Sequence, residues 1–276
     1  MQKLFFGTAG IPLGTNPRNT VNGIKHVKNL GLESMELEFV RNINLTEQKT
    51  TEVRKTAEEN KIVLTCHGQY YVNLNSNKTS VVKESKKKMF LASKIAWLAG
   101  ACSIVYHAAY YMDKTHGQAY ETIKKNLKEV ISQLQNEGIK IWFRPETGGK
   151  ISQFGDIDEI LRLSTEVEQV MPCVDFGHVY ARSLGDCNTY EKFAEIFKKI
   201  ENILGREGLD NMHIHTEGIS YGNTGERFHM NLQESKLNYP DLIKTWKDFK
   251  IKGVVISESP NIESDAWLMK KIYDEL

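Results

Sequence analysis

At 276 residues, with 40% hydrophobic and 26% charged side chains, the chain has the size and make-up of one globular α/β domain. Its 36 basic and 35 acidic residues leave a formal charge of +1, which excludes an overall field drawing the protein onto nucleic acid or an anionic membrane. The amino-terminal MQKLFFGTAGIPLG is broken by Gly and Pro, and no apolar run approaches the ~18 residues of a membrane span, so a soluble, cytoplasmic protein is expected.

Eight β-branched or aromatic-rich runs follow one another along the chain, at 3–9, 34–39, 62–67, 102–107, 139–146, 170–175, 211–216 and 253–258. Their starts are 28 to 42 residues apart, the rhythm of βα units, and helical patterns with apolar residues at three- and four-residue steps fill the gaps. Such patterns occupy 23–31, 45–60, 80–100, 119–138, 188–205 and 264–276, several of them ending in Gly or Asn as a C-cap requires. No repeat or linker divides the chain, so residues 1–276 are expected to form a single (β/α)8 TIM barrel, a doubly wound open sheet being the competing architecture. Cys66, Cys102, Cys173 and Cys187 show no CxxC spacing and are expected to be reduced and structural.

Histidines and carboxylates gather at the ends of these runs. His67 closes the third, His107 the fourth and Glu146 the fifth; Asp175 ends the sixth with His178 just beyond; His213 and His215 lie in the seventh and Glu258 closes the eighth. In a parallel barrel all these ends meet on one face, where active sites are built. A single strand-end His is more often a hydrogen-bonded structural residue, but burying several carboxylates together without cations would raise their pKa values and cost several kcal/mol. Imidazole and carboxylate suit zinc or manganese, and their number exceeds the three protein ligands of one catalytic zinc. His26 and His116 lie outside the set and are expected on the surface; Asp175-Phe176-Gly177 matches the kinase metal triplet without the rest of a kinase, and Lys86-Lys87-Lys88 reads as a solvated helix face.

In motif order the chain resembles the endonuclease IV family of apurinic/apyrimidinic endonucleases. The shared segments are His67-Gly68-Gln69-Tyr70, His107, Glu146-Thr147, Asp175-Phe176-Gly177-His178, Met212-His213 and Glu258-Ser259-Pro260-Asn261. The resemblance implies a trinuclear zinc site, with manganese as the alternative ion: His67, His107 and Glu146 around the first metal, and Glu146, Asp175, His213 and Glu258 around the second. His178 and His229 would serve the third. The family's Asp-x-His pair is replaced here by Glu226-Arg227-Phe228-His229, so whether Glu226 completes that site stays open. His215 faces the same side of an extended strand as His213 and is the other candidate; the Met-His match favours His213.

The resemblance further implies a DNA-repair enzyme, active as a monomer, that hydrolyses the phosphodiester 5′ to an abasic site in duplex DNA. Glu258 would orient or deprotonate the attacking water, Glu146 would bridge two ions, and Tyr70 would stack into the gap left by the missing base. One alternative is a sugar isomerase or epimerase of the same superfamily, holding one metal with Glu, Asp, His and Glu. Another is a non-catalytic protein that keeps the fold, which the altered Glu226 to His229 segment allows.

Overall fold

The computed structural model describes all 276 residues. Eight parallel strands form the barrel wall: β1 (Leu4–Ala9), β2 (Ser34–Glu38), β3 (Val63–His67), β4 (Ser103–Tyr106), β5 (Trp142–Pro145), β6 (Val174–Asp175), β7 (Met212–Thr216) and β10 (Gly253–Ser257). They pair in the order β5-β4-β3-β2-β1-β10-β7-β6, and parallel bridges Phe143 to Val170 and Glu146 to Cys173 close the ring between β5 and the β6 segment. The expected barrel is the observed one. The sixth run is less regular than 170–175 suggested, because Pro172 has no N–H to give a ladder and only its last two residues form strand.

The outer layer is made by α1 (Thr20–Asn29), α2 (Glu47–Asn60), α3 (Thr79–Leu98), α4 (His116–Asn136), α5 (Ile157–Glu166), α6 (Phe176–Arg182), α7 (Tyr190–Asp210), α8 (Tyr239–Asp248) and α9 (Glu263–Glu275). Their ends carry recognisable stops and starts. Thr115 and Gln118 form a reciprocal capping box at α4, and Gly138, at φ 72°, takes the left-handed turn that releases the chain into β5. One face of each helix joins a single apolar core with the strands. No helix is long and apolar enough to cross a membrane.

Two features were not foreseen. The segment after β7 is an antiparallel hairpin, β8 (Gly218–Gly222) and β9 (Gly225–Met230), which folds over the carboxyl-terminal mouth and is tied to the β5 loop by Glu226 N–H donating to the Gly149 carbonyl at 2.9 Å. The barrel interior is also more polar than the Val, Ile and Leu filling usual for this fold: Glu36, Ser103, Arg144 and His213 are all buried. Arg144 is satisfied by the Pro172 carbonyl (2.9 Å) and Asn211 Oδ1 (2.8 Å).

Candidate metal centre

The strand ends bring the donors into three adjoining groups, the donor atoms of each lying within 4.8 Å of one another: His67, His107 and Glu146; Glu146, Asp175, His215 and Glu258; and His178, Glu226 and His229. Glu146 is fully buried and faces two of them. Its Oε2 lies 3.3 Å from His67 Nε2 and 3.2 Å from His107 Nε2, while its Oε1 lies 3.1 Å from His215 Nδ1. Glu258 leans the other way, Oε1 at 3.2 Å from His215 Nδ1 and Oε2 at 3.8 Å from His229 Nδ1.

Local structure aims several of these rings. His67 Nδ1 donates to the Gly68 carbonyl at 2.7 Å and His178 Nδ1 to the Thr147 carbonyl at 3.0 Å, so in both it is Nε2 that turns into the centre. Asp175 serves twice: it ends β6, and its Oδ1 caps α6 by accepting from His178 N–H at 2.7 Å, which seats His178 over the first helical turn. Gly68 is required where it stands, because any side chain there would enter the Tyr106 ring.

The choice of His213 for the second group is corrected. In the sheet His215 lies opposite both Asp175 and Ile256, level with the carboxylates, whereas His213 lies one layer deeper, opposite Val254. His213 contacts Ser103 Oγ (3.0 Å) and Glu36 Oε2 (3.2 Å) instead. Glu226, left open by the sequence, does face the third group: its Oε2 is 3.6 Å from His178 Nε2 and its Oε1 3.8 Å from His229 Nε2. A three-residue spacing would put Glu226 and His229 on opposite sides of a regular strand. The pairing of Ser220 with Phe228 and Tyr221 with Glu226 makes Arg227 the extra residue of a β-bulge, which restores the same side.

Sequence reasoning missed three carboxylates. Glu36 is fully buried between His213 and His215; Glu38 lies above it towards the mouth, and Glu217 is buried against Gly177 with neither oxygen hydrogen-bonded. A signal was available: Glu36 and Glu38, like His213, His215 and Glu217, recur at the two-residue step that lines one face of a strand. His116 is exposed as expected, at the start of α4 and stacked on Tyr111. His26 is half-buried, and the four cysteines are free. Tyr70, half exposed, meets His67 edge-on with ring centroids 5.3 Å apart.

Charge is the dominant problem of the site. Burial opposes ionisation of Glu146, yet His107 and His215 beside it hold its carboxyl well below the usual range. Burial likewise works against a charge on His67 and His178, but Glu146 pushes His67 up to about 10, and Asp175 with Glu146 pushes His178 up to about 9. His107 goes down to about 3, through burial only partly offset by Glu146. Glu38 is pushed up to about 8 by burial and then Glu36, and Glu217 well above its normal value by burial and then Asp175.

This donor set fits divalent cations. It combines buried carboxylate oxygens that lack hydrogen-bond partners, among them Glu146 Oε2 and Asp175 Oδ2, with imidazole nitrogens turned towards them. The centre opens through a cavity of about 250 Å³, where Tyr70, Tyr110, Lys150 and Gln153 join the His and Glu donors in the wall.

The sequence profile of the xylose isomerase-like TIM barrel family matches residues 24–272. The chain belongs to that family. It is 40% identical to an uncharacterised protein of Methanocaldococcus jannaschii over 99% of its own length and 98% of the relative's. A probable endonuclease 4 of Mycoplasma pneumoniae is 25% identical, over 71% of this chain and 67% of that one. Among solved structures, endonuclease IV from Thermus thermophilus superposes with a TM-score of 0.72 at 17% identity, covering 98% of this chain and 100% of the other. A D-tagatose 3-epimerase-like protein superposes with a TM-score of 0.71 at 17% identity, covering 97% and 96%. The structural likenesses speak for the barrel, which both activities share.

Proposed function

We propose that the protein is a zinc-dependent hydrolase that cuts the phosphodiester on the 5′ side of an abasic site in duplex DNA, leaving a 3′-hydroxyl and a 5′ deoxyribose phosphate. The observation that carries this reading is the set of donors outside the Glu146, Asp175, His215 and Glu258 group. His67 and His107 beside Glu146, and His178 with Glu226 and His229, form two further groups adjoining it, which a single-ion enzyme would leave without a cation. The similarity to proteins named endonuclease 4 points the same way.

Divalent ions held there would supply a water acidic enough to ionise near neutral pH, and positive charge at the attacking and leaving oxygens. The chain's own residues do the rest. Glu258, poised between His215 and His229, orients the water and accepts its proton on Oε2. Glu146 keeps two donor groups in register through its two oxygens. Lys150 at the mouth can meet a phosphate, and Tyr70 offers a ring face beside the site on which a base or its gap can stack.

A second reading is favoured by the four-donor group itself and by the size of the cavity: a single-metal isomerase or epimerase acting on a small sugar. The experiment that separates them incubates metal-analysed protein and its Glu258→Gln variant with a labelled duplex carrying one tetrahydrofuran abasic analogue. Incision immediately 5′ to the analogue by the wild type alone, with more than one zinc per chain, supports the hydrolase. An intact duplex with one ion per chain overturns it in favour of the sugar enzyme.

A further inference from the structure

We infer that Glu36 is a positioning residue, the middle of a buried relay running from Ser103 through His213 and Glu36 to His215, which fixes the nitrogen that His215 presents to the metal centre. The inference deepens the metal-centre reading above and rests on it. Because β7 is extended, His213 and His215 point the same way, into the barrel, at successive depths. Glu36, projecting from β2, meets both: its Oε2 is 3.2 Å from His213 Nε2 and its Oε1 is 2.9 Å from His215 Nε2. All three side chains are inaccessible to water. At these distances the ring N–H directions lie outside hydrogen-bond geometry, and none of these four atoms has a hydrogen-bond partner elsewhere.

One assignment of protons satisfies the whole chain once a cation is held at the centre. A carboxylate only accepts, so each imidazole must offer it an Nε2–H. His213 then has a lone pair on Nδ1, which accepts from the Ser103 hydroxyl at 3.0 Å. In the ion-free protein His215 Nδ1 donates to Glu146 Oε1 at 3.1 Å and lies 3.2 Å from Glu258 Oε1; an ion bound there would replace that proton, leaving His215 with its lone pair on Nδ1 and its hydrogen on Nε2. That is the tautomer a metal ligand needs on that side, and a carboxylate behind a ligating imidazole both fixes the ring and strengthens it as a donor. Cys173 also approaches the two rings, but every hydrogen already has an acceptor without a second ion at this depth.

The test is the Glu36→Gln variant, which keeps the shape but offers a donor where one imidazole also donates. Two readouts are taken, neither of them turnover: zinc affinity by competition with a chromogenic chelator, and the ring-nitrogen tautomers of His213 and His215 from histidine-labelled ¹H–¹⁵N spectra. The expected results are a hydrogen on Nε2 and none on Nδ1 for both rings in the zinc-loaded wild type, and a loss of zinc affinity of about 10- to 100-fold in Glu36→Gln, with incomplete restoration by Glu36→Asp. An Nδ1–H on either ring of the zinc-loaded wild type, or wild-type zinc affinity in a folded Glu36→Gln protein, overturns the relay. The wild-type spectrum decides the matter even if the variant does not fold. A wild type that binds no zinc would sink the metal centre, while an Nδ1–H on His213 would still overturn the relay.

Discussion

Gly149 offers a way to disable the third donor group alone. A methyl group there would lie 2.6 Å from Glu226 Oε2, 2.8 Å from Glu226 Cβ and 2.8 Å from His178 Cδ2. Ordinary contacts of this kind begin near 3.4 Å, and neither neighbour can yield freely: His178 is held by the Thr147 carbonyl, and the Glu226 backbone is hydrogen-bonded to Gly149 itself. Gly149→Ala should therefore push apart a pair of donors that now stand 3.6 Å from each other, while leaving the groups around Glu146 in place. Crowding of this size costs about 1–3 kcal/mol of stability, and misplacing ligands costs about 10- to 100-fold in metal affinity. Equilibrium dialysis followed by elemental analysis should find one zinc fewer per chain than in the wild type. Full occupancy at wild-type affinity would refute the assignment of Glu226 and His178 to one ion.

Three further outcomes are expected. His67 and His178 have pKa values of about 10 and 9 in the metal-free protein, so at pH 7 both are protonated and zinc must displace those protons. Affinity should rise with pH, about tenfold per unit for each proton displaced, and level off above those values; calorimetry in buffers of different ionisation enthalpy checks this, and no proton release would contradict it. Deleting Arg227 should remove the bulge but leave Glu226 and His229 on one side at a two-residue spacing, so zinc content should be unchanged; loss of an ion would show that the bulge does more than set the phase. With a formal charge of +1, and Lys150 the cationic side chain lining the cavity, DNA affinity should fall only shallowly with salt. A log–log slope of about −1 to −2 is expected from titrations at several salt concentrations, and one steeper than about −5 would demand a basic surface elsewhere.

The barrel was legible because each strand is a short apolar run and several helices carry their own stop, so local patterning and topology agree. Most donors were legible for the same reason, since a strand end is easy to see. Depth was not. His213 and His215 look alike to a two-residue period, and only the stagger of β7 against β6 and β10 puts His215 level with Asp175. The Glu226 to His229 spacing misled in the opposite direction, because a bulge depends on the partner strand and Arg227 carries no mark of it. Glu36 escaped notice because it sits within an apolar run rather than at its end, and carboxylates inside a barrel are unusual.

The balance of charge bears on how many ions the site is built for. Glu36, Glu146, Asp175 and Glu217 are buried and Glu38 half-buried beside Glu226 and Glu258, seven carboxylates in one region. Left to itself, the protein neutralises them with protons: Glu38 and Glu217 are pushed towards the acid form, and His67, His178 and His215 towards the charged form. Each proton so held is a place where a cation competes. One divalent ion would leave most of that negative charge to be met by protonation, and the imidazoles that took the protons could not then be ligands. Three would come within one unit of charge of meeting it and would free every imidazole in the three groups to donate its lone pair. The donors outside the four-residue core are therefore better explained by several cations than by one, and the count of zinc ions per chain is the measurement on which the hydrolase and sugar-isomerase readings diverge.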